Sequence, residues 1–198
     1  MRTFFDLVVN LRDSTGGFSA LGEEVVLSGP VVSVVEGSFR APDGTVFERQ
    51  IVRHPGAVAV AAVDDDGLVT LVRQYRAPFD ELMIELPAGK CDVAGEPIVV
   101  TAERELAEEV GLAADRLELL VSFHNSVGFC DEQCHVFLAS GLHPVPDARD
   151  GLEEQHLEVL HLPLGDALDL IRDGSITDAK TVIGLWAIER RLAADAVT

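Results

Sequence analysis

Residues 89–112 read GKCDVAGEPIVVTAERELAEEVGL, and this stretch decides the fold. Its second half predicts a helix from about Pro97 to Val110. Pro97 suits the first helical position and Gly111 suits the residue just past the end. Val99, Ala102, Leu106 and Val110 recur at the 3.6 period, so that face is expected to enter the core. Glu105 and Glu109 lie one turn apart on a different face, with Glu108 beside them. Anions near a helix C-terminus oppose its dipole, at a cost of about 0.3–1 kcal/mol each at an exposed site. Like charges at this spacing add about 0.2–0.5 kcal/mol per pair, and Arg104 compensates only in part. A divalent cation would remove the conflict, because crowded carboxylate oxygens select Mg²⁺ or Mn²⁺. A plain solvated acidic face is the alternative reading of the same residues.

Working outward, the flanks alternate strands with helices. Residues 24–53, rich in Val31, Val32, Val34, Val35 and Phe39 and broken by the Pro42-Asp43-Gly44 turn, predict a small antiparallel unit. Asp13 to Ser19 reads as a loop. His54-Pro55-Gly56 punctuates the chain, so the expected division is 1–54 and 55–198. Ala57–Val63 and Leu68–Tyr75 predict a hairpin around Asp64-Asp65-Asp66-Gly67. A short apolar segment covers Leu82–Leu86. Further strands are expected at Leu117–Phe123, Cys134–Ala139 and Leu157–Leu162, and helices at about Leu164–Arg172 and Asp178–Leu192.

Composition bounds the function. The 198 residues carry 15 Lys+Arg against 34 Asp+Glu, a net charge of −19. Such a chain is a poor partner for nucleic acid or an anionic membrane. A phosphorylated small molecule stays compatible, since bound metal ions reverse the local field. No apolar run approaches the roughly 20 residues of a spanning helix, and Asp6 interrupts the apolar N-terminus. Cys91, Cys130 and Cys134 show no framework spacing, so reduced thiols in a cytoplasmic protein are expected. Cys130, Cys134 and His135 could suggest zinc, but alternation sends Cys134 and His135 to opposite faces of a strand and no fourth ligand is apparent.

The stretch from Gly89 through Glu96 to Arg104-Glu105-Leu106-x-Glu108-Glu109-Val110-Gly111-Leu112 resembles the Nudix box. One departure is that six residues, rather than the usual five, separate Gly89 from Glu96, so Gly95 stands where the first glutamate is expected. Val72-Arg73-Gln74-Tyr75-Arg76, Glu85-Leu86-Pro87-Ala88-Gly89 and Gly128-Phe129-Cys130-Asp131-Glu132 look like the ADP-ribose pyrophosphatase branch of that family, and the layout matches from about residue 30 to 190.

The resemblance implies an α+β fold: an α/β/α sandwich around a mixed sheet, with the small N-terminal antiparallel β unit appended. It implies hydrolysis of a nucleoside diphosphate sugar, ADP-ribose first, to AMP and ribose 5-phosphate with Mg²⁺ or Mn²⁺. Glu105 and Glu109 would bind metal with Glu108 in support, joined by the carbonyl of Ala88. Arg104, Gly89 and Glu96 belong to the same motif. The loop Glu153-Glu154-Gln155-His156-Leu157-Glu158 would supply the base, Glu153 before Glu154. Arg49, Arg73 and Arg76 stand out in an acidic chain as groups that pair with phosphate. With Phe39, Phe47, Glu85 and Gly128 they are candidates for holding the substrate, and ordinary strand packing and surface ion pairs are the alternative. The branch also implies a homodimer through the N-terminal strands. Val127 stands where ADP-ribose hydrolases of the family commonly have proline, which keeps GDP- and UDP-sugars open. A nucleotide-sugar sensor without turnover and a structural interaction protein are the other functional classes compatible with the sequence.

Overall fold

The computed structural model describes residues 15–149 and 151–195. They form two compact units: residues 15–54 with 126–131, and 55–125 with 132–149 and 151–195.

In the first unit β1 (Ser19–Ser28), β2 (Ser33–Arg40) and β3 (Val46–Arg53) make an antiparallel sheet in the order β1-β2-β3. Between β2 and β3, Gly44 takes φ +87° and the Asp43 side chain accepts from the Thr45 N–H at 2.9 Å. Strand β1 begins at Ser19, five residues before the expected start at Glu24. Gly22 and a register shift between Ala20 and Gly22 hide its alternation. The segment 126–131 docks on the end of β3. The Val52 N–H donates to Phe129 O at 2.7 Å, and Asp131 takes the Arg53 guanidinium at 3.0 Å and the His54 N–H at 2.9 Å.

The second unit is built on β4 (Ala57–Val63), whose AVAVAAV run suits a strand covered on both faces. Val58, Val60 and Ala62 pack on one side with Ala102 and Leu106, and Ala59 and Ala61 pack on the other with Leu168, Leu185 and Ile188. The remaining strands are β5 (Leu68–Arg76), β6 (Glu81–Glu85), β7 (Ala88–Lys90), β8 (Leu112–His124), β9 (Gln133–Pro144) and β10 (Glu158–Pro163). The helices are α1 (Ile98–Val110), α2 (Leu164–Arg172) and α3 (Ala179–Asp195). The sheet order is β10-β5-β4-β9-β8, with β4 and β9 parallel and the other pairs antiparallel. This is a mixed α+β sandwich, as expected.

One irregularity positions the site. Strands β4 and β5 pair only at Ala62–Thr70 and Val63–Val69. Beyond that point β6 pairs with β5, β7 pairs with β4, and Pro87 O accepts from the Val60 N–H at 2.8 Å. The chain from Glu85 to Gly89 therefore fills an opening in the middle of the sheet.

Several boundaries differ from expectation. β7 is too short to leave a pattern in the sequence. β8 starts at Leu112 rather than Leu117, because Ala113, Ala114, Asp115 and Arg116 carry little strand signal. Strand β9 runs on to Pro144 as its partner. Helix α1 starts at Ile98, with Pro97 as the extended flanking residue. Its buried positions are Thr101, Ala102, Leu106 and Glu109, while Val99 is 37% exposed. The core stripe is thus rotated from the expected one, toward the acidic residues.

Candidate active site

Gly111 ends α1 in the left-handed region, φ +65°, and its N–H donates to Ala107 O at 3.0 Å. This fixes the last turn, where Glu108 and Glu109 stand one turn beyond Glu105. Glu109 is only 4% exposed, and its carboxylate accepts a 2.9 Å hydrogen bond from the Ala88 N–H in the sheet opening. Burial pushes its pKa up to about 8. The Ala88 N–H and Arg76 oppose the shift, and the charges of Glu105 and Glu154 add to it. Burial also raises Glu105, with Arg104 opposing and Glu108 and Glu154 reinforcing.

Arg104 gathers the box. Its guanidinium donates to Glu105 at 2.8 Å, to Glu108 at 3.0 Å and to Glu96 at 3.3 Å. Burial works against its charge, but these three carboxylates outweigh it and raise its pKa. Glu96 also accepts from Thr101 Oγ1 at 2.8 Å, and that bond, with Arg104, holds it below the usual carboxylate range. In the loop before α1, Gly95 takes φ +78°.

A second network lies beside Ala88. Arg76 forms a two-point pair with Glu85, at 2.6 and 2.8 Å, and Lys180 at the start of α3 donates to Glu85 as well. Glu85 is 2% exposed; burial would raise its pKa, but Arg76 and Lys180 more than offset that and lower it. Lys180 is bridged at 2.9 Å to Asp178, which also accepts from the Thr181 N–H and hydroxyl. Thr181 Oγ1 then accepts from the Leu86 N–H at 2.9 Å. Buried charges persist only when paired and hydrogen-bonded in this way. The network fixes the strand that presents Ala88 and keeps Arg76 within the field of Glu109.

The two loop glutamates face different groups. Glu153 is exposed and its charge acts on Tyr75. Glu154 is half-buried, accepts from the Gly151 N–H at 3.1 Å, and acts on Glu105 and Glu109.

In the first unit, Phe39 and Phe47 stack at 5.6 Å and Arg49 lies 4.7 Å over the Phe47 ring. Together with Gly128, Phe129 and Asp131 they line a cavity of about 310 Å³. Val127, at the same rim, is 84% exposed.

No three His, Cys, Asp or Glu side chains among the described residues stand together as a ready-made metal cage. The donor chemistry nevertheless fits a hard divalent cation. Burial and the charges of Glu105 and Glu154 leave Glu109 short of positive charge, and Arg104 is the cation Glu105 and Glu108 share.

Residues 52–182 match the NUDIX domain. The chain belongs to the Nudix family. As a Nudix hydrolase it is 39% identical over 176 residues to the ADP-ribose pyrophosphatase of Bacillus subtilis (strain 168), covering 89% of this chain and 95% of that protein. It is 41% identical to the methanol dehydrogenase activator of Bacillus methanolicus, over 84% of this chain and 89% of that one. Its fold matches a crystal structure of an ADP compounds hydrolase with a TM-score of 0.79 at 24% identity, covering 92% and 98% of the two chains.

The Nudix box residues Glu96, Arg104, Glu105, Glu108 and Glu109 are brought together with Ala88, Gly89, Arg76 and Glu154. Arg73 forms an exposed pair with Glu158 at 3.2 Å. Phe39, Arg49 and Gly128 belong to the first unit. Sequence reasoning missed Lys180, Asp178, Thr181 and Arg149. Asp178 three residues before Thr181 signals a helix start, but the link from Lys180 to Glu85 spans 95 positions and leaves no local trace.

Proposed function

We propose that this Nudix hydrolase cleaves the pyrophosphate bond of a nucleoside diphosphate sugar, ADP-ribose first, giving AMP and ribose 5-phosphate with Mg²⁺, for which Mn²⁺ can substitute. The observation that carries this reading is the buried Glu109 carboxylate. It is held by the Ala88 N–H, with the charges of Glu105 and Glu154 directed at it. In this reading Glu105, Glu109 and the Ala88 carbonyl hold the cation, with Glu108 in support. A bound divalent cation supplies charge neutralisation of the pyrophosphate and a more acidic water.

Glu154, ahead of Glu153, takes the proton from the attacking water, because its charge is felt at Glu105 and Glu109. The water oxygen bonds to one phosphorus and the bridging P–O bond breaks. Arg76 and Arg73 pair with phosphate oxygens, and Glu85 enters through its hold on Arg76. Arg104 orients Glu105 and Glu108. The pocket of Phe39, Phe47, Arg49 and Gly128 takes the base. The exposed edge strand β1, with Val25, Val26 and Leu27 uncovered, supports a homodimer. Cytoplasmic residence fits the thiols of Cys91 and Cys134. No helix among the described residues is long and apolar enough to cross a membrane.

The test is product release from a panel of ADP-, GDP- and UDP-sugars with Mg²⁺. Release of AMP from ADP-ribose is expected; cleavage of only a GDP- or UDP-sugar would change the base, and binding without cleavage would make the protein a sensor.

A further inference from the structure

The last carbonyls of an α-helix have no donors of their own, and α1 has no basic residue in its last turn. Residues 145–149 supply what is missing. The Val145 N–H donates to Gly111 O at 2.9 Å and the Ala148 N–H to Glu108 O at 3.2 Å. Arg149 Nε then donates to Glu109 O at 2.8 Å. From the same guanidinium, Nη1 reaches Leu157 O at 3.3 Å, and Asp147 steadies the group at 3.3 Å. Leu157 closes the turn that carries Glu154, its N–H donating to Glu154 O at 3.2 Å.

One planar group therefore joins the backbone of Glu109 to the backbone beside Glu154. We propose that Arg149 is a positioning residue that sets the spacing between the Glu109 and Glu154 carboxylates. This rests on the function proposed above, in which Glu109 holds the cation and Glu154 takes the proton of the attacking water. A guanidinium can hold two carbonyls at a fixed separation, whereas a lysine ammonium is a point donor on a flexible stem. Its contacts to the two acid-bearing segments are to main-chain oxygens, so its loss moves the two acids relative to each other without removing a ligand.

The experiment measures kcat and KM for ADP-ribose with Mg²⁺ in wild type, Arg149→Met, Arg149→Lys, Glu154→Gln and the Arg149→Met/Glu154→Gln double variant, with circular dichroism to verify folding. A displacement on the order of 1 Å costs about 100-fold in rate. Arg149→Met is therefore expected to lower kcat by about 10- to 100-fold with KM within about 2-fold. Arg149→Lys should recover part of the loss. In the Glu154→Gln background, Arg149→Met should cost little more, because the group it positions is already gone.

Unchanged kcat in folded Arg149→Met, or losses that simply multiply in the double variant, would overturn the proposal. So would a drop in melting temperature as the sole effect. If Arg149→Met does not fold, Arg149→Lys decides alone: wild-type kcat contradicts the proposal and a reduced kcat at unchanged KM supports it. Wild type that turns over while Arg149→Met matches it defeats only this inference. Wild type with no turnover defeats the function it rests on as well.

Discussion

Gly89 and Glu105 share a space that has no room for a side chain on the glycine. A Cβ at residue 89 would fall 1.8 Å from the Glu105 carboxyl carbon and 2.0 Å from its Oε1. The backbone of Gly89 is not in the left-handed region, so close approach, rather than turn geometry, demands glycine here. Gly89→Ala should therefore push Glu105 out of place while α1 and the sheet remain. Turnover is expected to fall by about 100-fold with an unchanged circular dichroism spectrum; near-wild-type turnover would mean that Glu105 does not act from this position.

The raised pKa of Glu109 has a stability consequence with a definite sign. The folded protein holds this proton up to a pH of about 8, while the unfolded chain loses it near the ordinary 4.5. Between those values the unfolded state binds fewer protons, so stability falls as pH rises. With chelator present, the melting temperature should drop from about pH 5.5 to about pH 8, by several degrees more in wild type than in Glu109→Gln. Added divalent cation should raise the melting temperature more at the upper end of that range. Equal slopes in the two proteins would contradict the assignment of a buried, protonatable carboxyl at residue 109.

The aromatic pocket of the first unit should govern binding rather than chemistry. Arg49 over Phe47, beside the stacked Phe39, offers a base an aromatic platform and a cation. Such contacts contribute about 0.5–2 kcal/mol each. Arg49→Ala and Phe47→Leu are expected to raise KM by about 3- to 30-fold with kcat nearly unchanged. A fall in kcat at constant KM would place these residues in another role.

Much of this was legible in the sequence because it is local. Pro97 and Gly111 bracket α1, and Glu105, Glu108 and Glu109 are neighbours by helical spacing alone. The Ala57–Val63 run and the Asp64-Asp65-Asp66-Gly67 turn mark the β4–β5 hairpin. What could not be read depends on distant partners. Val99 matches the apolar period as well as Leu106 does, yet the sheet opening buries Glu109 and turns Val99 outward. The Ala88 N–H that meets Glu109 is 21 positions away, and the Arg149 guanidinium on its carbonyl is 40. Glu153 and Glu154 are adjacent acids in one loop, and only the turn's three-dimensional course separates their surroundings.

The most direct test is a calorimetric titration of Mn²⁺ or Mg²⁺ into wild type and Glu109→Gln, at about pH 7.5, where release of the Glu109 proton accompanies binding. Wild type should bind the cation and release protons, seen as heats that vary with buffer ionisation enthalpy, while Glu109→Gln should bind at least about tenfold more weakly with little proton release. Equal affinity and equal proton release in the two proteins would show that the cation is held elsewhere, and the account of this active site would fail.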